Sequence, residues 1–287
     1  MIVGKKINNY AGLVKFSHTV FALPFAVIGY FLAVRLTATS FQPLLFVEML
    51  LCMVFARNAA MAFNRYIDRY FDILNPRTRI REIPSGIIST QNALLFVFLN
   101  ALLFVLTCYF INSLCFILSP VALLVVLGYS YTKRFTALCH LVLGVGLALA
   151  PIGAYLAVTG KFALLPLLFS CAVLFWVSGF DIIYALQDDA FDQSHHLKSI
   201  PVKFGRPGAL SLSVFLHVCS AAFVITAGFY GHFNFLYWIG ASVFVCLLTY
   251  QHTLVKPMDL SRVNQAFFTT NGIASVLFAV FVLLSMF

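Results

Sequence analysis

Residues 57–86 read RNAAMAFNRYIDRYFDILNPRTRIREIPSG. An apolar run ends here in Asn64, Asp68 and Asp72, and a burst of arginines follows. Helical spacing puts these three side chains on one face, four residues apart each time. A carboxylate on a membrane helix is costly: about +2.5 to +3.5 kcal/mol near the helix centre, less near its end. Such groups usually have a partner or a job. Arg57 stands seven residues before Asn64 and shares that face, either as a substrate contact or as a structural counter-charge. Beyond Asp72, Pro76 and Pro84-Ser85-Gly86 make turns. Arg77, Arg79 and Arg81 crowd the loop between them, a pattern that suits a lid over an anionic group.

The surrounding chain says what kind of helix this is. The 287 residues are 62% hydrophobic and 9% charged, a balance that excludes a water-soluble domain. Nine apolar stretches come close to the roughly 20 residues needed to cross a bilayer core. They lie at 16–35, 43–63, 92–111, 114–131, 139–158, 162–180, 209–229, 234–254 and 266–286. The expected fold is all-α: a single integral-membrane domain over 1–287 with nine transmembrane helices. Lys5, Lys6 and Lys15, the arginines of 65–81, Lys133, Arg134, Lys198, Lys203, Arg206, Lys256 and Arg262 all fall on one side of this topology. The opposite loops hold only Arg35 and Lys161, so the N-terminus is expected in the cytoplasm and the protein in a bacterial-type inner (plasma) membrane. The net charge of +9 is spread over these loops beside acidic motifs and does not indicate nucleic-acid binding. The start, MIVGKKINNY, is polar and lacks a cleavable signal pattern. The seven cysteines lie in apolar segments without a CxxC and are expected to be small core residues, not metal ligands or disulfides.

A second acidic window follows the sixth apolar stretch: GFDIIYALQDDAFDQSHHLKSIPVKFG, residues 179–205. Asp181, Tyr184, Asp188 and Asp192 fall at helical offsets and predict one continuous stripe. Seven of the nine acidic residues lie in the two windows: Asp68, Asp72, Glu82, Asp181, Asp188, Asp189 and Asp192. His195 and His196 lack a partner at ligand spacing and read as loop residues. His18 is either an interfacial histidine or a polar wall of a cavity. Asn264, Gln265 and Asn271 either bond between helices or touch a substrate.

Paired oxygen ligands at i, i+4 suit Mg2+, which binds through one or two carboxylates plus substrate phosphates. Two such faces opposed would hold two ions across one diphosphate. Lys133, Arg134 and Lys198 can take the remaining phosphate oxygens, and Tyr129 shares a helix face with Lys133. A site of this kind above an apolar cavity matches an amphiphile with a diphosphate head and a hydrocarbon tail.

NRYIDRYFD, YSYTK and DIIYALQDDAFD together resemble the UbiA superfamily of intramembrane prenyltransferases, over nearly the whole chain. The family's N-x-x-x-D-x-x-x-D falls on Asn64, Asp68 and Asp72. Its D-x-x-x-D falls on Asp188 and Asp192, with Asp181 and Tyr184 upstream, and its Y-x-x-x-K on Tyr129 and Lys133. Glu82 stands where the family's loop often has proline, and Ser17-His18-Thr19 where ubiquinone-type members often have Asp-Lys-Pro. The resemblance implies a helical bundle whose central cavity opens at the cytoplasmic side. It implies Mg2+-assisted ionisation of a polyprenyl diphosphate and attack by a hydroxylated aromatic acid such as 4-hydroxybenzoate, for quinone biosynthesis. Asp68, Asp72, Asp188 and Asp192 would be catalytic, with Asn64, as metal ligands. Lys133, Arg134, Lys198 and Tyr129 would bind the diphosphate, and Arg57, Asp181 and Tyr184 would line the acceptor side. The alternatives are a 1,4-dihydroxy-6-naphthoate-type acceptor for menaquinone, or a non-enzymatic transporter. A transporter would place its charges near the midplane, whereas here they collect at helix ends. The D-G-x-x-A-R and G-x-x-x-D elements of CDP-alcohol phosphotransferases are missing.

Overall fold

The structure, a computed structural model, describes residues 9–14 and 21–287. Lys5, Lys6, Lys15, Ser17, His18 and Thr19 lie outside the described residues. Among the described residues, a helical stretch at 9–13 is followed by α1 (Leu23–Thr37), α2 (Pro43–Ile67), α3 (Arg69–Leu74), α4 (Thr90–Ile111), α5 (Ser113–Thr132), α6 (Cys139–Thr159), α7 (Leu164–Ala185), α8 (Asp189–Ser194), α9 (Ile200–Tyr230), α10 (Phe235–Leu254) and α11 (Asn271–Leu284). A 3-10 turn, Leu186–Asp188, joins α7 to α8, and a π-helix, Gln265–Thr270, leads into α11. Among the described residues there is no strand beyond a single bridge between Lys256 and Asp259. Among the described residues, eight helical segments are long and apolar enough to cross a membrane, and α1 is a shorter apolar helix, approximately consistent with the nine expected. Large apolar side chains such as Leu44, Phe98, Leu124 and Phe229 stand exposed on these helices, as a lipid-facing surface requires.

The chain forms two compact units. The first contains residues 9–14 and 47–131. Its core gathers Leu13, Ala59, Ala62, Ile83, Ile88, Ala93 and Val97. Small alanines let α2 and α4 approach closely, and Asn58 Nδ2 donates to Asn100 Oδ1 across them at 3.2 Å. Ser89 caps α4 by accepting from the Asn92 N–H.

The second unit contains residues 21–46 and 132–287. Its core is aromatic, with Phe25, Phe169, Trp176, Tyr237, Phe244 and Phe278 all fully buried. α1 lies against α6 so closely that a Cβ on Gly29 would overlap the Pro151 carbonyl. Buried hydroxyls return to backbone carbonyls of α7: Ser213 Oγ donates to Gly179 O at 2.7 Å and Ser220 Oγ to Ala172 O at 2.8 Å. α9 is broken at Gly205, whose φ of 68° is open to glycine, and Pro207 restarts it. All seven cysteines are free. Only Cys108 is buried and Cys246 is exposed, so the expectation of core cysteines holds for Cys108 alone, lipid-facing positions tolerating the small apolar thiol equally well.

Candidate active site

The first motif does not sit on one uninterrupted helix. α2 stops at Ile67, and Asp68 takes φ −86° and ψ 2°, in the bridge region of the backbone, before α3 begins. The register survives the break. The Asp68 N–H still bonds Asn64 O and the Asp72 N–H still bonds Asp68 O. Asn64 Nδ2 donates to Asp68 Oδ2 at 3.1 Å.

Asp72 is buried and its Oδ1 accepts from Arg81 at 2.7 Å. The loop is folded onto it: Thr78 Oγ1 donates to Asp72 O, and Asn75 Oδ1 accepts from the Arg77 N–H. Of the arginines expected to form a lid, Arg81 is bonded to the motif through Asp72, while Arg79 is exposed. Arg65, buried to 4% exposure, lies within electrostatic reach of Asp72, Arg81, Glu82 and Tyr129. Its spacing of seven residues from Asp72 was the available signal, which a reading of it as a topology charge passes over. Tyr129 lies in reach of Arg57 as well. Arg57 therefore has the Tyr129 hydroxyl as an electrostatic neighbour.

The second motif is also divided. Asp181 and Tyr184 belong to α7, Asp188 ends the 3-10 turn, and Asp192 is in α8. The continuous stripe expected from spacing is corrected to two helices joined by a tightened turn. The 3-10 turn advances more per residue, so Asp188 and Asp192 are rotated relative to Asp181. Asp192 is fully buried, with the Lys133 ammonium 2.7 Å from Oδ1 and Asp188 within electrostatic reach. Lys198 is brought beside Lys133: its N–H donates to Lys133 O at 2.7 Å, and its Nζ donates to Phe135 O. Arg134 follows α5 and is half-buried. Asp189 points elsewhere, held by Arg206 through two bonds of 2.6 and 3.2 Å. His195 stacks on Phe191, and both histidines lie where α8 ends, as loop residues.

Asp181 has a partner that its own window does not reveal. His140 Nδ1, at the start of α6, donates to Asp181 Oδ2 at 2.7 Å, while Nε2 accepts from the Ile200 N–H at 3.4 Å. His140 is buried, and a lone histidine in an otherwise apolar run was the signal for it.

Among the described residues no three His, Cys, Asp or Glu side chains converge into a closed metal cage. The carboxylates nevertheless fit Mg2+. Asp72 Oδ2 is buried without a hydrogen bond, and neither oxygen of Asp192 makes a hydrogen bond of good geometry despite the lysine beside it. Buried acceptors of this kind are costly unless an external cation completes them. Hard oxygens, two per motif, leave the open coordination positions that substrate phosphates would fill.

A model of the UbiA prenyltransferase family matches residues 22–273. A 4-hydroxybenzoate octaprenyltransferase from Nitrosospira multiformis is 32% identical over 230 residues, 80% of this chain and 79% of that protein. A protein of the same name from Nitrosomonas eutropha is 32% identical over 238 residues, 83% of each. Among solved structures, an apo UbiA homolog from Aeropyrum pernix K1 matches with a TM-score of 0.84 at 29% identity, over 94% of this chain and 98% of that one. A UbiA homolog from Archaeoglobus fulgidus bound to DMAPP and Mg2+ shares the fold, with a TM-score of 0.77 at 22% identity, over 97% and 99% of the two chains. With its apolar helices, its two acidic motifs and this match over most of its length, the chain belongs to the UbiA prenyltransferase family, a family of membrane-embedded enzymes.

Proposed function

We propose that this enzyme transfers a polyprenyl group from polyprenyl diphosphate to the ring of a hydroxylated aromatic acid of the 4-hydroxybenzoate type. The observation that carries the reading is the pair of buried carboxylates, Asp72 and Asp192, each ending a D-x-x-x-D motif with a basic side chain 2.7 Å away. The substrate class follows the relatives named 4-hydroxybenzoate octaprenyltransferase. Residues 1–287 act as one catalytic domain in a bacterial inner membrane, with the N-terminus in the cytoplasm.

Asn64, Asp68, Asp72, Asp188 and Asp192 would hold Mg2+. The ion would supply neutralisation of the charge that develops on the departing diphosphate. Lys133, Arg134 and Lys198, with Tyr129, bind phosphate oxygens. Arg57, Asp181 and Tyr184 lie on the acceptor side, where the His140 N–H fixes the Asp181 carboxylate. The apolar helices keep water from the reactive carbon.

The test is a transfer assay on membranes containing the protein, with Mg2+ and a labelled polyprenyl diphosphate. 4-Hydroxybenzoate and 1,4-dihydroxy-6-naphthoate are offered separately, each with an EDTA control. EDTA-sensitive product from 4-hydroxybenzoate is the expected result. Product from the naphthoate alone would replace the acceptor, and absence of both product and metal-dependent donor binding would end the reading.

A further inference from the structure

Arg65 belongs to the last turn of α2 and carries a charge that the Mg2+ and diphosphate assignments above do not use. It is buried, and its Nε has no hydrogen-bond partner among the described residues. A guanidinium presents five N–H donors in a fixed plane, so burying one is costly until its edges meet acceptors. Its surroundings are charged. Asp72, Arg81, Glu82 and Tyr129 lie within electrostatic reach, all in the first unit. Asp72 does not complete the guanidinium. Its Oδ1 accepts from Arg81 at 2.7 Å, and its Oδ2 is itself buried without a hydrogen bond.

A buried donor and a buried acceptor thus stand in one neighbourhood and do not satisfy each other. Charge balance accounts for part of this. Arg81 offsets Asp72, and Glu82 can offset Arg65 at a distance. Balance needs only a nearby charge, however. It does not account for an unmet edge of a planar fork beside an unmet carboxylate oxygen. The two groups together are complementary to a ligand that carries both signs. A cation alone would complete Asp72 Oδ2 and repel Arg65, and an anion alone would complete Arg65 and repel Asp72. A divalent metal with a phosphate group completes both. The metal suits the carboxylate oxygen, and a phosphate oxygen suits the guanidinium fork.

We propose that Arg65 binds a phosphate oxygen of the prenyl donor and couples that contact to the metal on Asp72. The inference rests on the Mg2+ and diphosphate reading above. It adds the residue that makes the first motif prefer a metal–phosphate pair over either ion alone. Each ion improves the site of the other. The metal cancels the carboxylate charge that would repel phosphate, and phosphate cancels the guanidinium charge that would repel the metal. Coupling of this kind is reciprocal: Mg2+ tightens diphosphate binding by the factor by which diphosphate tightens Mg2+ binding. Without Arg65 the motif would still take a metal through its carboxylates, but the phosphate would lose a donor and the metal a reason to arrive with it.

The experiment measures binding of inorganic pyrophosphate to the full chain in detergent, with Mg2+ and with EDTA, and the thermal midpoint alongside. The wild type is compared with Arg65→Met and with the double variant Arg65→Met/Glu82→Gln, which removes the fork and keeps the charges balanced. The wild type is expected to bind pyrophosphate at least about tenfold tighter with Mg2+. Both variants are expected to raise Kd in Mg2+ by about tenfold or more, the scale of one hydrogen bond to a charged group, and to shrink the Mg2+ effect. The double variant carries the test if Arg65→Met does not fold. Wild-type Kd and Mg2+ response in the double variant would overturn the proposal and leave Arg65 as the counter-charge of Glu82. Loss of 4-hydroxybenzoate binding with pyrophosphate Kd unchanged would overturn it as well, by placing Arg65 at the acceptor carboxylate. A wild type that binds no pyrophosphate in Mg2+ would instead overturn the Mg2+ and diphosphate reading, and this inference with it.

Discussion

Asp72 and Asp192 each close a carboxylate pair beyond the end of an apolar helix, and each has a cation at 2.7 Å. The cations arrive by different routes. Asp72 takes Arg81 from the loop just beyond it, nine residues away, and Arg65 lies in reach as a second positive charge. Asp192 takes Lys133 from the end of α5, distant in sequence, and is itself fully buried. The first motif is a local construction with a reserve of charge. The second takes a lysine delivered by the fold. One electrostatic requirement has thus been met once by sequence proximity and once by topology.

That contrast can be broken at several points. The largest effect is expected from the carboxylates. Asp72→Asn and Asp192→Asn should each lower kcat by about 100-fold or more, the scale of losing an electrostatic stabiliser of the transition state. If either variant kept near wild-type turnover, the two motifs would not be equivalent. Next come the cations. Lys133→Met strands a buried carboxylate and should lower the thermal midpoint clearly, since breaking a buried pair costs about 3–5 kcal/mol when the partner stays behind. Arg81→Met should cost less, because Arg65 remains. Adding Asp192→Asn to Lys133→Met should recover part of the lost stability, a coupling that a double-mutant cycle measures. Equal losses at Arg81 and Lys133 would erase the proposed difference.

A smaller effect is expected at His140. His140→Phe removes the donor to Asp181 and should raise the acceptor KM by roughly tenfold through misplacement, leaving donor Kd unchanged. A change in donor binding instead would move Asp181 out of the acceptor role. The smallest effect is expected at Arg206. Its pair with Asp189 is partly exposed, with side chains 38% and 19% accessible, and such pairs contribute about 0–1 kcal/mol. Arg206→Ala should keep kcat within about twofold, and a large loss would bring Asp189 into the site.

The helices and both motifs were legible because they rest on periodicity and on the cost of charge in lipid, which are local properties. Asn64, Asp68 and Asp72 keep their i, i+4 bonding, so spacing alone located them. What spacing did not show was where helices stop. α2 ends before Asp68 and a 3-10 turn interrupts the second motif, and both breaks are changes of backbone angle that residue spacing does not report. Partnerships across long separations were equally hidden. Nothing near Asp181 names His140, and nothing near Asp192 names Lys133. The π-turn at 265–270 was invisible for the same reason: Asn271, whose amide bonds the Ala266 and Phe267 carbonyls, is in view, but the Trp176 that orients it is a helix away.

The clamped carboxylates have a consequence for biogenesis. As each apolar helix enters the bilayer, the terminal carboxylate of its motif can already be matched by a basic side chain of the same polypeptide, Arg81 for Asp72 and Lys133 for Asp192. Assembly of the protein therefore need not wait for divalent metal. With Mg2+ and diphosphate bound as proposed, loading would be an ion exchange, in which incoming cation and anion would trade places with a lysine and an arginine that keep the positions electrically balanced.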